Sequence, residues 1–132
     1  MLDISSLKKA LKTLEEVMAL IEKNKVDNII RDSAIQRFEY TYELSYKTLR
    51  RYLELTIPSN QELNEGSFNN LIRVANKAGL VLGTLKVWDG FREARNSSSH
   101  AYSEKVALKV VAVIPQFIKE VRYLIKQIES HE

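Results

Sequence analysis

The chain has no cysteine in its 132 residues, which excludes disulfides, thiolate metal sites and a cysteine nucleophile, and fits a reducing compartment. Glycine and proline are scarce, at four and two, so few positions can break a helix and long regular elements are expected. No apolar run approaches the length of a membrane span. The opening text MLDISSLKKALKTLEEV carries charge throughout, unlike a secretory signal. These absences lead to the expectation of a cytoplasmic protein with no membrane association.

What is present has the balance of a globular protein: 45% of residues are hydrophobic and 28% charged. One domain over residues 1–132 is expected, long enough to bury a core without staples. The formal net charge is +3 and the sequence pI about 9.1. That helps an anionic ligand but falls short of the dense Lys/Arg stripe of a general nucleic-acid binder.

Helical periodicity dominates. Ile4, Leu7, Leu11, Leu14, Met18 and Ile21 recur at three- and four-residue steps, predicting a helix over Asp3–Asn24. Ile35, Phe38, Tyr42, Ser45, Leu49 and Tyr52 do the same within a helix over Val26–Leu55, before Pro58 and SNQELNEG break the chain. Ser67 and Gly79 bracket a short helix as N-cap and C-terminal stop. Thr84 can cap the next helix, which turns Leu85, Trp88 and Phe91 inward and loses propensity at Asn96-Ser97-Ser98-Ser99. Ser103 can cap a last helix running to the end, with Val106, Val110, Val113, Phe117, Val121, Leu124 and Ile128 on one face. Pro115 should kink or interrupt it. No β-type alternation occurs. The expected fold is all-α: an antiparallel up-down four-helix bundle with an extra short helix. A second apolar row on the last helix (Leu108, Val111, Ile114, Ile118, Ile125) is either central in its own bundle or shared with a second copy, and points to a homodimer.

One charge sits where a hydrophobe belongs. At about 100° per residue, Leu85, Trp88, Phe91, Arg95 and Ser99 share one side of the fourth helix. A guanidinium on that stripe needs a carboxylate, a phosphate or a water-filled cleft. Glu39 and Glu43 of the second helix are candidate ion-pair partners. His100 lies about 140° around an ideal helix from Arg95; the two meet only if the helix ends near Ser99 or if two copies face each other. Otherwise His100 simply favours a helix C-terminus. Glu39 and Glu43 suggest no metal, since no HExxH or ExxH context accompanies them. Gln36, Tyr40, Glu43 and Lys47 form a polar stripe best read as a solvated face. Trp88 reads as a core anchor, and His131 as part of a frayed tail.

The segment Arg95-Asn96-Ser97-Ser98-Ser99-His100-Ala101-Tyr102 resembles the R-x4-H signature of the HEPN superfamily in its extended R-x4-H-x-Y form. QRFEYTYELSYKTLRRYL (Gln36 to Leu53), the opening Leu2-Asp3-Ile4-Ser5-Ser6-Leu7 and Ala78-Gly79-Leu80 are similar to the nucleotidyltransferase substrate-binding protein group within it. The resemblance implies a four- to five-helix bundle in a symmetric dimer, with the Arg–His segments near the dimer cleft and a minimal nucleotidyltransferase as partner. It also implies RNA or a nucleotide as ligand, without metal or cofactor. By the same resemblance, His100 would act as general acid or base on a ribose 2′-hydroxyl. Arg95 would steady charge on phosphate, and Asn96 and Ser99 would support them. Tyr102 would be the residue a nucleotidyltransferase antitoxin modifies; its other role is an aromatic seating the last helix. The chain lacks a phosphate-binding glycine loop and the Gly-Ser with paired aspartates of a nucleotidyltransferase, so it should not transfer nucleotides itself. A non-catalytic substrate-binding subunit is the alternative to a ribonuclease.

Overall fold

The computed structural model describes residues 2–23, 27–57 and 67–131. Five helices account for most of them: α1 (Ser5–Glu22), α2 (Asn28–Thr56), α3 (Phe68–Lys77), α4 (Leu85–Ser97) and α5 (Glu104–Ser130), with a 3-10 turn (Ser98–His100) closing α4. The breaker stretch 58–66, and the expected helix boundaries at Asn24 and Val26, lie outside the described residues.

Local chemistry sets these boundaries. The Asp3 carboxylate accepts the Ser5 N–H at 2.9 Å, which holds its pKa below the ordinary aspartate value. Asp27 caps α2 by accepting the Ile30 N–H at 2.8 Å, and Ser67 caps α3 by accepting the Asn70 N–H at 3.0 Å. Helix α3 stops at Gly79, whose φ of +75° is the left-handed conformation that glycine adopts without cost. There the Leu80 N–H reaches the Ala75 carbonyl and the Gly79 N–H the Asn76 carbonyl, the paired bonds that terminate helices in this way. Thr84 and Ser103 occupy the expected N-cap positions of α4 and α5, yet neither side chain makes a capping bond. Helix α5 runs unbroken through Pro115; the residue is exposed, so water can satisfy the carbonyl that its missing N–H leaves free.

Paired residues reveal the helix directions. Lys8 meets Glu129, and Glu15 meets Arg122, so α1 and α5 run antiparallel. Trp88 meets Phe117, while the other end of α4 lies beside Val106, so these two are antiparallel as well. Arg31 approaches Glu104 and Phe38 meets Phe117, which makes α2 and α5 parallel. The order is up-down-up-down for α1, α2, α4 and α5, with short α3 packed on α2 and α4.

The predicted stripes face one continuous core. Phe117 is its hub, meeting Phe38, Phe91 and Trp88 edge-on with centroids 5.0, 5.3 and 6.4 Å away. Burial of each such ring contributes on the order of 2 kcal/mol. The second apolar row of α5 is largely internal: Ile114, Ile118 and Ile125 are buried within the chain, and only Leu108, 58% exposed, stands clear in solvent. That row therefore does not by itself require a second copy. No described helix is long and apolar enough to cross a membrane.

Candidate functional site

Helix α4 carries two polar centres, one closed and one open. At the closed one, Glu120 of α5 is 3% exposed and accepts hydrogen bonds from the Leu82 N–H at 3.0 Å and the Trp88 Nε1–H at 3.1 Å. Gly83 lets the preceding loop lie close: a Cβ there would fall 2.8 Å from Val87 Cγ1 and 3.3 Å from Glu120 Oε2. This centre fixes the start of α4 against α5, and hence the register of everything downstream on the helix.

Two turns on, Arg95 projects from the same stripe toward α2, where it finds carboxylates. Its Nε donates to Glu43 Oε1 at 3.0 Å and its Nη1 to Glu39 Oε2 at 3.2 Å; Nη2 lies 3.0 Å from Glu43 Oε1. Nη1 also approaches Ser98 Oγ at 3.4 Å. That hydroxyl's single proton is shared between Glu39 Oε2 and the Arg95 carbonyl. The guanidinium is 31% exposed, Glu39 30% and Glu43 49%. One cation between two carboxylates leaves a formal charge of −1, so an incoming phosphate must compete with Glu43 for the guanidinium.

The motif then turns outward. The chain tightens into the 3-10 turn, with the Ala101 N–H bonding the Ser98 carbonyl and the Ser103 N–H the His100 carbonyl. His100 is exposed and Tyr102 is 87% exposed, their rings edge-on at 6.1 Å. Tyr102 therefore does not seat the last helix as the packing alternative supposed. No hydrogen bond or ion pair among the described residues joins Arg95 to His100. Ser98, three residues after Arg95, lies on the Arg95 side of the helix. Ser98 is buried and Ser99 exposed, so the hydroxyl that meets the Arg95 network is that of Ser98, not of the expected Ser99.

Asn96 is exposed between two grooves. One, about 400 Å³, is lined by Tyr42, Glu43, Tyr46, Phe68, Arg92, Arg95 and Asn96. The other, about 550 Å³, runs between α4 and α5 along Gly90, Ala94, Ser97, Val106 and Val110. Burial, with help from the nearby Tyr46 and Glu43, pushes the Tyr42 hydroxyl up to about 12, so this wall of the first groove stays protonated. Elsewhere on α2, Tyr40 is bonded to Thr13 of α1 at 2.5 Å and so ties two helices together instead of standing on a purely solvated face. His131 lies 3.5 Å from the Tyr52 hydroxyl, not free in a tail. No group of three or more His, Cys, Asp or Glu among the described residues could hold a metal ion.

Sequence reasoning missed Ser98, Glu120 and Arg92. Glu120 had a signal, an acid one turn from Phe117 on the buried face of α5; Ser98 had a weaker one, lying three residues from Arg95 and so on its side of the helix.

Comparison with known proteins covers nearly the whole chain. Residues 2–130 match the family described as "Nucleotidyltransferase substrate binding protein like". A Haemophilus influenzae protein named "Probable ribonuclease HepT" is 32% identical over 137 aligned positions, covering 98% of this chain and 93% of that protein. A Haemophilus influenzae structure, described as revealing the fold of a substrate binding domain of a nucleotidyltransferase, superposes with a TM-score of 0.86 at 29% identity. It covers 96% of this chain and 99% of its own. A Thermus thermophilus crystal structure gives 0.74 at 28% identity, covering 92% and 97%.

Proposed function

The chain belongs to the nucleotidyltransferase substrate-binding protein-like family, and from that premise we propose that it is the helical partner of a minimal nucleotidyltransferase and, as a homodimer, a metal-independent ribonuclease. The observation that carries this reading is the outward placement of His100 and Tyr102 on a turn whose other end holds Arg95 in a fixed orientation. Imidazole titrates near neutral pH, which suits proton transfer to and from a ribose. His100 would take the proton of a 2′-hydroxyl whose oxygen attacks the adjacent phosphorus. The bond to the 5′-oxygen breaks, and that oxygen leaves with a proton. The products are a 2′,3′-cyclic phosphate and a 5′-hydroxyl. Arg95 would steady the charge that builds on the phosphorus oxygens, with Asn96 orienting the backbone beside it.

Arg95 faces α2 while His100 faces solvent, so a second copy would supply what one chain separates. The groove between α4 and α5, with exposed Leu108 on α5, is the surface such a copy would cover. Tyr102 would be the point of control in a toxin–antitoxin arrangement. Its hydroxyl would attack the α-phosphorus of a nucleoside triphosphate held by the partner, pyrophosphate would leave, and the anionic adduct would stand beside His100.

The experiment incubates the purified chain with RNA in EDTA, alongside His100→Ala. Metal-free cleavage leaving 2′,3′-cyclic ends is expected, with His100→Ala slower by roughly 10²–10⁴-fold at an unchanged Tm. Well-folded wild-type chain that leaves RNA intact, with and without the nucleotidyltransferase, would remove the ribonuclease reading. The second reading, a non-catalytic subunit presenting substrate to the nucleotidyltransferase, is favoured by one observation: Glu39, Glu43 and Ser98 already engage the Arg95 guanidinium.

A further inference from the structure

Beside the motif lies an assembly that neither the Arg95 network nor the turn uses. Tyr42 and Tyr46, one turn apart on α2, have centroids 6.4 Å apart and planes within 19°. Tyr46 in turn stacks on Phe68 at the start of α3, 6.0 Å away and within 8° of parallel. Two guanidiniums rest on these rings: Arg92 lies 4.9 Å over Phe68 and Arg50 5.8 Å over Tyr46. Arg50 also reaches the Tyr46 hydroxyl at 3.5 Å. Neither arginine has a carboxylate partner among the described residues, in contrast to Arg95 with two. Arg92, Tyr46 and Phe68 line the groove of about 400 Å³ that opens onto Arg95 and Asn96.

We infer that this shelf binds single-stranded RNA and positions it for the motif. The ligand class rests on the ribonuclease reading; the site itself rests on the geometry. Unstacked bases are recognised by stacking on aromatic rings and guanidinium planes, and every base has such a face. The exposed outer plane of Arg92, backed by Phe68, offers one. Guanidiniums without carboxylate partners match phosphates in charge and shape. Ring stacking holds both arginines without neutralising them, so they attract the strand while the Arg95–Glu39–Glu43 centre, net negative, does not. The strand is thereby drawn to α2 and α3 and led toward Asn96, with Arg50 and Arg92 as binding residues and Tyr46 and Phe68 as the surface that orients them.

The test measures anisotropy of a short labelled single-stranded RNA across a KCl series, with the full chain carrying His100→Ala to prevent cleavage. Adding Arg50→Ala and Arg92→Ala should weaken binding about tenfold and flatten the log–log salt dependence by about 1.4, the share of two phosphate contacts on a single strand. Arg92→Lys should keep the salt slope and lose part of the affinity, which a purely structural role would not produce. An unchanged slope and affinity in the double variant, or no RNA binding by the His100→Ala chain, overturns the shelf. A parallel titration with labelled ATP separates a free nucleotide from RNA: ATP affinity that falls in the double variant while RNA affinity does not also overturns it. RNA binding that depends on both arginines, with a wild-type chain that never cleaves, retires the ribonuclease reading and keeps the shelf; cleavage by the wild-type chain with a variant-insensitive slope does the reverse.

Discussion

The two polar centres of α4 solve the same problem, a polar group on an apolar stripe, in opposite ways. Around Glu120 the solution is closure: the carboxylate is buried, and a backbone N–H and an indole N–H point at it. Around Arg95 it is excess: one guanidinium, two carboxylates and a hydroxyl, all but the hydroxyl about a third or more exposed. In a buried centre water cannot take the place of a lost partner, so the loss is felt in full. A half-exposed centre is screened, and its worth lies in how it orients charge, not in stability. The first is therefore a folding device and the second is available to chemistry. The same helix carries both because Trp88 fixes its register before Arg95 is reached.

The largest effect should come from breaking the closed centre. Glu120→Leu keeps the volume apolar but leaves the buried Trp88 Nε1–H without an acceptor, at about 1–3 kcal/mol, while the N–H of the exposed Leu82 can turn to water. A loss of about 2 kcal/mol, or roughly 7 °C in Tm for a domain of this size, is expected in thermal denaturation. Trp88→Phe in the same background removes the orphaned donor and should recover part of it. A Glu120→Leu chain as stable as wild type would show that this carboxylate does not hold α4 in place.

A second effect, seen only in alkali, comes from the wall of the Arg95 groove. Burial disfavours the Tyr42 phenolate, so the folded chain gives up that proton near pH 12, whereas the unfolded chain does so near 10. Its contribution to stability is whole below pH 10 and disappears as the pH climbs from 10 to 12. Denaturant midpoints should fall across that window, and Tyr42→Phe should fall less steeply. Equal slopes for the two chains would mean that water reaches the hydroxyl freely.

Much of this contrast was legible in the text, and the remainder was hidden for a definite reason. The stripes of α1, α2 and α5 are strongly periodic, so their buried faces could be assigned residue by residue, and Arg95 announced itself by interrupting one. Glu39 and Glu43 could be named as candidate partners because a guanidinium on an apolar stripe calls for a carboxylate and these two stand one turn apart on the second helix. Ser98 could not be singled out, because at about 100° per residue both Ser98 and Ser99 fall beside Arg95, and the projection puts Ser99 nearer the middle of the stripe. The Phe68–Arg92 contact joins the start of α3 to α4 across a connection that periodicity does not describe. Helix text predicts faces well and says little about which short element lies across them.

The smallest effect should attend the open centre, and its salt dependence is the sharper observable. Arg95→Ala removes a pairing in which every charged partner is substantially exposed, so after screening its cost is about 1 kcal/mol or less. It also leaves Glu39 and Glu43 facing each other, a repulsion that salt relieves. The Tm difference between wild type and Arg95→Ala should therefore shrink as ionic strength rises, since a Debye length of about 10 Å at 0.1 M falls to about 3 Å at 1 M. The Glu120→Leu difference should not shrink, because no exposed charge pair is involved. Glu43→Gln refines the point: it frees part of the guanidinium while Glu39 keeps its orientation, so RNA affinity should rise if Arg95 meets phosphate. An unchanged affinity, together with an Arg95→Ala loss that ignores salt, would place Arg95 with Glu120 as a second folding device and erase the distinction between the two centres.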